Sequence, residues 1–210
     1  MYGLALGPPP GPDAGSGARL QVGGLQFGYL HVAYLHVACL LFDRRAGNSG
    51  GTPMSNREHR YTPTVVWTGN TGSGTSSYTA YSRDHVIAVD GRPEIPGSSD
   101  PAFRGDGGRH NPEDLLVASL SACHMLWYLH LASAAGVVVT AYRDMAVGVM
   151  VEDKVRGGWF TGVTLRPHVT IAAGSDAVKA QALHEAAHKT CFIANSVNFP
   201  VACDPVIVTA

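Results

Sequence analysis

The sequence predicts an α+β domain, and three features carry that prediction. Short runs of β-branched and aromatic residues, broken by glycine turns, lie at 61–89 and recur at the C-terminus. One long apolar stretch with helix-start chemistry occupies the middle. A second helical pattern follows two long alternating segments. Strands, a central helix, more strands, a helix and a last strand bury their apolar faces as packed layers of an α+β fold.

The elements follow in order. YTPTVVWT (61–68) reads as a first strand and Ser77 to Tyr81 as its hairpin partner, joined by the turn text GNTGSG. DHVIAV (84–89) is a third short strand. The stretch 92–110 is punctuated by Pro and Gly and reads as a long loop, a class that is commonly functional. Its charged residues include Arg104, Asp106 and Arg109. Asn111 then supplies an N-cap, Pro112 the first helical position, and Glu113 and Asp114 acids against the positive end of the dipole. The helix runs to a stop at Gly136. Apolar nearly all round, it is expected to be buried against a sheet on one side and a helix or subunit on the other. Val137 to Met150 and Phe160 to Ala172 read as two long antiparallel strands around a turn at Arg156-Gly157-Gly158. Ser175 or Asp176 caps a second helix with an apolar stripe through Val178, Ala182, Leu183, Ala186 and Ala187, ending near Thr190. Pro205 to Thr209 is a final strand.

Composition narrows the partners. Of 210 residues 45% are hydrophobic and 15% charged, and 15 Lys+Arg against 16 Asp+Glu give a net charge of -1. No basic field exists to hold nucleic acid or an anionic membrane. Residues 1–53 contain eleven Gly and five Pro, with neither Lys nor Glu. They read as a low-complexity extension outside the fold, with the domain at 54–210 and Met54 as a candidate translation start. The tandem YLHVAYLHVA (29–38) carries two His and is poor material for a membrane span. Cys39, Cys123, Cys191 and Cys203 are too few and too scattered for a secreted disulfide scaffold and form no CxxC pair, which points to a reducing, cytoplasmic setting.

Cys123 shares a helical stripe with Leu116, Leu120 and Trp127, where a cysteine is ordinarily a small buried hydrophobe. Mid-helix it gains little from the dipole, so a thiolate there needs a neighbouring cation, with an arginine the obvious candidate. Cys191 lies 68 positions later, just past the second helix, and reaches Cys123 only if the helices cross. Cys203 reads as a bystander. His184, His188 and Cys191 at i, i+4 and i+7 form a ligand-type spacing for zinc, with His124 next to Cys123, but no HExxH or CxxC accompanies them. Glu113 stabilises its helix by about 0.3–1 kcal/mol simply as a first-turn acid. A catalytic role for it needs an arginine partner from the preceding loop.

NPEDLLVASLSACHMLWYL (111–129), with Glu113 ten positions ahead of Cys123, followed by AHKTCFIANSV (187–197), resembles the OsmC/Ohr family of thiol peroxidases. The resemblance runs from about Arg60 to the C-terminus. It implies antiparallel sheets wrapped around a long central helix in an intertwined homodimer, with residues of both subunits at each site. It further implies that Cys123 is the peroxidatic cysteine and Cys191 the resolving one, and that Glu113 orients an arginine, with Arg104 first and Arg109 second as candidates; no metal or other cofactor is expected. The partners it implies are an organic hydroperoxide, an external dithiol reductant and a second copy of the chain, in an antioxidant, peroxiredoxin-like role. His124, Trp127, His130 and the long glycine-rich loop set the chain in an outlying branch. Leu126, Trp127, Tyr128 and Phe103 are expected to wall an apolar pocket that favours organic over hydrogen peroxide. Two other readings stay open: a redox-sensing or ligand-binding module without turnover, and a zinc protein on His184, His188 and Cys191.

Overall fold

The computed structural model describes residues 57–210. The expectations for 1–53 and for the boundary at 53/54 lie outside the described residues. Three three-stranded sheets and two long helices make up the described part.

The first sheet has the order β1-β2-β3, with β1 at Thr64–Trp67, β2 at His85–Ala88 and β3 at Ile95–Gly97. The expected hairpin between β1 and Ser77 to Tyr81 is not formed. β1 pairs instead with β2, Thr64 opposite Ala88 and Trp67 opposite His85, and Tyr81 keeps one bridge to Asn70. Polar local bonds explain the difference. Asn70 Oδ1 accepts from the N–H groups of Gly72 and Gly74, and the Arg83 guanidinium donates to the carbonyls of Tyr78 and Tyr81, holding the segment as turns. The expected loop 92–110 contains β3, whose Pro96 is tolerated because the strand lies at the sheet edge. A short 3-10 turn at Pro101–Phe103 follows, capped by Asp100.

Helix α1 spans Pro112–Ala134. Asn111 Oδ1 accepts from the Asp114 N–H at 2.7 Å, Pro112 stands at N1, and Gly136 takes the left-handed conformation (φ 73°) that closes the helix. Within one chain the burial is confined to one face of the helix. The buried line is Leu120, His124, Tyr128 and Ala132, at successive steps of four, whereas Leu126 on another face is 63% exposed.

The two long strands expected at 137–150 and 160–172 are each broken in two. β4 (Val139–Asp144) pairs with β7 (Pro167–Ile171), and β5 (Val147–Asp153) pairs with β6 (Gly157–Leu165), in separate sheets. The break falls where Asp144 Oδ1 accepts the Arg166 N–H at 2.7 Å and Pro167 begins a strand. Asp144 Oδ2 also accepts from Ser121 Oγ at 2.6 Å, tying this pivot to α1 two residues before Cys123.

Helix α2 (Ala177–Thr190) is capped by Asp176, which accepts from the Lys179 N–H; Ser175 instead accepts from Val138. Past α2 the chain adds β8 (Val201–Cys203), absent from the sequence reading, and β9 (Val206–Thr209). Both pair in parallel, β8 with β6 and β9 with β7, so two of the sheets are mixed rather than antiparallel. A helical crossover returns the chain in the same direction, which a hairpin cannot do.

Tyr128, Ala132, Val137, Val169, Ile171, Ala180 and Ala187 form one core under α1 and α2, and Leu120, Val163 and Leu165 a second under the segment 193–203. α1 is long and apolar enough to cross a membrane by length and composition. Within the fold it packs against α2, β4 and β5.

Candidate active site

The two helices bring Cys123 and Cys191 together. Cys123 stands half-buried on α1, and Cys191 is fully buried at the end of α2, where its N–H donates to the His188 carbonyl at 3.3 Å. The Cys191 sulfur accepts the Ala194 N–H at 3.5 Å, so the turn after α2 fixes where it points. Both are free thiols. Burial, helped by the neighbouring Cys123 thiol, pushes the Cys191 thiol up to about 11. Only the thiolate is alkylated, so the rate of Cys191 modification by iodoacetamide should rise about tenfold per pH unit from pH 7 to 10. Peptide mass spectrometry of timed samples reads this rate, and a profile flattening near pH 8 contradicts it.

The other two predicted residues, Glu113 and Arg104, form no ion pair with each other among the described residues. Glu113, half-buried in the first turn of α1, lines a surface cleft of about 470 Å³ with Phe103, Val117 and Phe160, and makes no salt bridge among the described residues. Arg104 sits in the left-handed region (φ 66°), with its guanidinium 6.0 Å from the Tyr78 ring centroid. Arg109 is held by Asp84 at 3.8 Å and Asp106 at 3.4 Å. Neither guanidinium reaches Glu113.

The expected apolar wall is also redistributed. Tyr128 belongs to the core, Phe103 lines the Glu113 cleft, and Leu126 faces outward. Trp127, one turn past Cys123, packs edge-on against Phe192, the residue after Cys191, at 5.4 Å between centroids. This pair forms an apolar flank beside the two thiols.

A buried polar cluster starts at His124, the residue after Cys123 on α1. His124 Nε2 and His184 Nδ1 share a hydrogen bond at 3.0 Å, and Cys203 Sγ lies 3.6 Å from the first and 4.0 Å from the second. The Tyr128 ring stacks on His184 at 4.0 Å. Burial pulls His124 down to about 4, with His188 adding and Asp144 opposing, and pulls His184 down to about 3, so both imidazoles are neutral at pH 7. Burial also pushes the Cys203 thiol up to about 12. The zinc spacing expected on α2 is not realised: His184 turns toward His124 and Cys203, and Cys191 toward Cys123. The i, i+4 step from Leu120 to Tyr128 runs through His124, a signal that places this histidine on the buried face. Nothing in the spacing places Cys203 beside it.

Residues 105–205 match a family model described as OsmC-like protein. An OsmC-like protein of unknown function from Vibrio cholerae is 31% identical to this chain, with a TM-score of 0.65, the match covering 71% of this chain and 100% of that one. An organic hydroperoxide resistance protein OsmC from Legionella pneumophila (21% identity, TM-score 0.52, 71% and 98% coverage) shares the fold. So does an organic hydroperoxide resistance protein from Elizabethkingia anophelis (20% identity, TM-score 0.53, 73% and 100% coverage). Among curated proteins none matches the chain.

Proposed function

The chain belongs to the OsmC-like family, and on that premise we propose that it is a thiol-dependent peroxidase that reduces organic hydroperoxides to alcohols. The observation that carries this reading is the meeting of Cys123 and Cys191 from two helices 68 positions apart. The difference in burial supports a division of roles. Cys123 is the more accessible thiol, while Cys191 is buried and hard to ionise. Cys123 is therefore the attacking sulfur and Cys191 the resolving one.

The Cys123 thiolate attacks one peroxide oxygen, the O–O bond breaks, and the departing alkoxide takes a proton to leave as alcohol. The sulfur, oxidised by two electrons, holds a sulfenic acid. The Cys191 thiol then displaces the sulfenic oxygen as water and closes the Cys123–Cys191 disulfide. An external dithiol reduces it by exchange and is itself oxidised. The Trp127–Phe192 flank rewards an alkyl tail by about 25 cal/mol per Å² buried, which favours organic peroxides.

A cation must stabilise the attacking thiolate and the peroxide oxygen. Arg104 suits this role better than Arg109, because Arg109 is already shared by Asp84 and Asp106. A homodimer completes the site: exposed apolar Val65 and Val66 on β1, Leu126 on α1 and Phe192 need cover, and a second copy brings another Arg104 and Glu113. The free thiols suit the cytoplasm. Arg104→Ala should slow oxidation of Cys123 by cumene hydroperoxide about 10- to 100-fold in stopped-flow, and Arg109→Ala less. The reverse order reassigns the arginine.

The deciding test supplies cumene hydroperoxide and hydrogen peroxide with dithiothreitol or a lipoyl-type dithiol. Sustained, dithiol-dependent consumption that prefers the organic peroxide is expected. One equivalent consumed and no more identifies a redox sensor instead.

A further inference from the structure

We propose that His124, His184 and Cys203 form a binding site for one zinc ion, separate from the Cys123–Cys191 pair. The three ligand atoms come from different elements, α1, α2 and β8, and all lie within 4.8 Å of one another. Their separations are 3.0, 3.6 and 4.0 Å. Tetrahedral zinc with nitrogen at about 2.0–2.1 Å and sulfur at about 2.3 Å requires edges of about 3.3 Å between nitrogens and about 3.6 Å between nitrogen and sulfur. The triangle needs only a few tenths of an ångström of adjustment to accept the ion.

Two further observations point the same way. His124 and His184 are 0% and 3% exposed, and their outer nitrogens, His124 Nδ1 and His184 Nε2, have no hydrogen-bond partner among the described residues. With a proton shared between the inner nitrogens, one outer nitrogen is left as a buried bare lone pair and the other as a buried unpaired N–H. Zinc takes both inner lone pairs and removes the bare outer one, each ring then carrying its proton on the outer nitrogen. The Tyr128 and Tyr142 hydroxyls are likewise unpartnered among the described residues. Second, the Asp144 carboxylate is anchored close by, its Oδ2 accepting from Ser121 Oγ one turn before His124 on α1. Two neutral imidazoles and one thiolate leave a zinc site with a net charge of +1, and Asp144 offsets it. Two imidazoles and a thiolate are the borderline-soft donor set that selects zinc over calcium or magnesium. Bound there, zinc joins β8 to both helices, and the fourth position is open to water.

The test uses the full chain, reduced and treated with a chelator, with cobalt(II) as the spectroscopic probe and zinc as its competitor. One equivalent of cobalt should give a sulfur-to-metal charge-transfer band and the intense visible bands of a tetrahedral site, both removed by one equivalent of zinc. The bands should survive in the double variant Cys123→Ser/Cys191→Ser and vanish in Cys203→Ala, while His124→Gln weakens binding at least tenfold. Absent bands in the unaltered chain, bands that persist in Cys203→Ala, or bands lost from the double serine variant overturn the site. If Cys203→Ala does not fold, X-ray absorption of the zinc-loaded unaltered chain decides. Two nitrogens and a single sulfur in the shell support the site, whereas two sulfurs or none overturn it.

Discussion

Cys123→Ser is expected to lower dithiol-dependent consumption of cumene hydroperoxide by at least about 100-fold, because a serine hydroxyl is not ionised at pH 7 and cannot carry the two-electron oxidation that sulfur carries. Cys191→Ser should separate the two halves of the cycle. Its Cys123 still reacts once per protomer and then stops with the sulfenic acid in place, trappable by dimedone and visible as an added mass on the peptide containing Cys123. The asymmetry follows from burial: Cys191 is 1% exposed and its thiol is pushed up to about 11, so it cannot stand in as the attacking sulfur. Multiple turnovers in Cys123→Ser, or equal loss of the first turnover in both variants, refute the assignment.

The helices were the most legible part of the fold because their signals are local. Asn111, Pro112 and Gly136 mark α1 to within a residue, and Asp176 and Thr190 bracket α2 equally well. The strands were less so. The break of 137–150 and 160–172 into four strands depends on Asp144 meeting Arg166, 22 positions away. Val137 to Met150 alternates across the break and gives no local warning of it. β8 is three residues long and owes its existence to a parallel partner in β6. The chemistry divides in the same way. The contexts of Cys123 and Cys191 pointed to a thiol pair. Arg104 and Glu113 do not meet in a single protomer. The cluster of His124, His184 and Cys203 joins residues 60 and 19 positions apart, so ligand spacing along one helix points to His184, with His124 noted on the other helix, but not to Cys203.

Two leucines six positions apart on α1 should differ sharply when shortened to alanine. Leu120 is 0% exposed and packs with Val163 and Leu165, and around them sit Ile193, Ala194, Phe199 and Val201 from the chain that follows Cys191. Cutting its isobutyl side chain back to a methyl forfeits the transfer energy and leaves a cavity, a loss of about 2–5 kcal/mol. For a domain of this size that lowers the melting temperature on the order of 10 °C. The same change loosens the segment that holds Cys191 in place, so disulfide formation after oxidation should slow as well. Leu126 is 63% exposed and supports nothing within the protomer. Leu126→Ala should leave the protomer's stability within about 0.5 kcal/mol and act on self-association instead, shifting the sedimentation profile toward the single chain on dilution. Calorimetry and sedimentation of both variants decide the matter. If Leu126→Ala destabilises as much as Leu120→Ala at every concentration, that face of α1 is covered from within the chain and a second copy is not what it awaits.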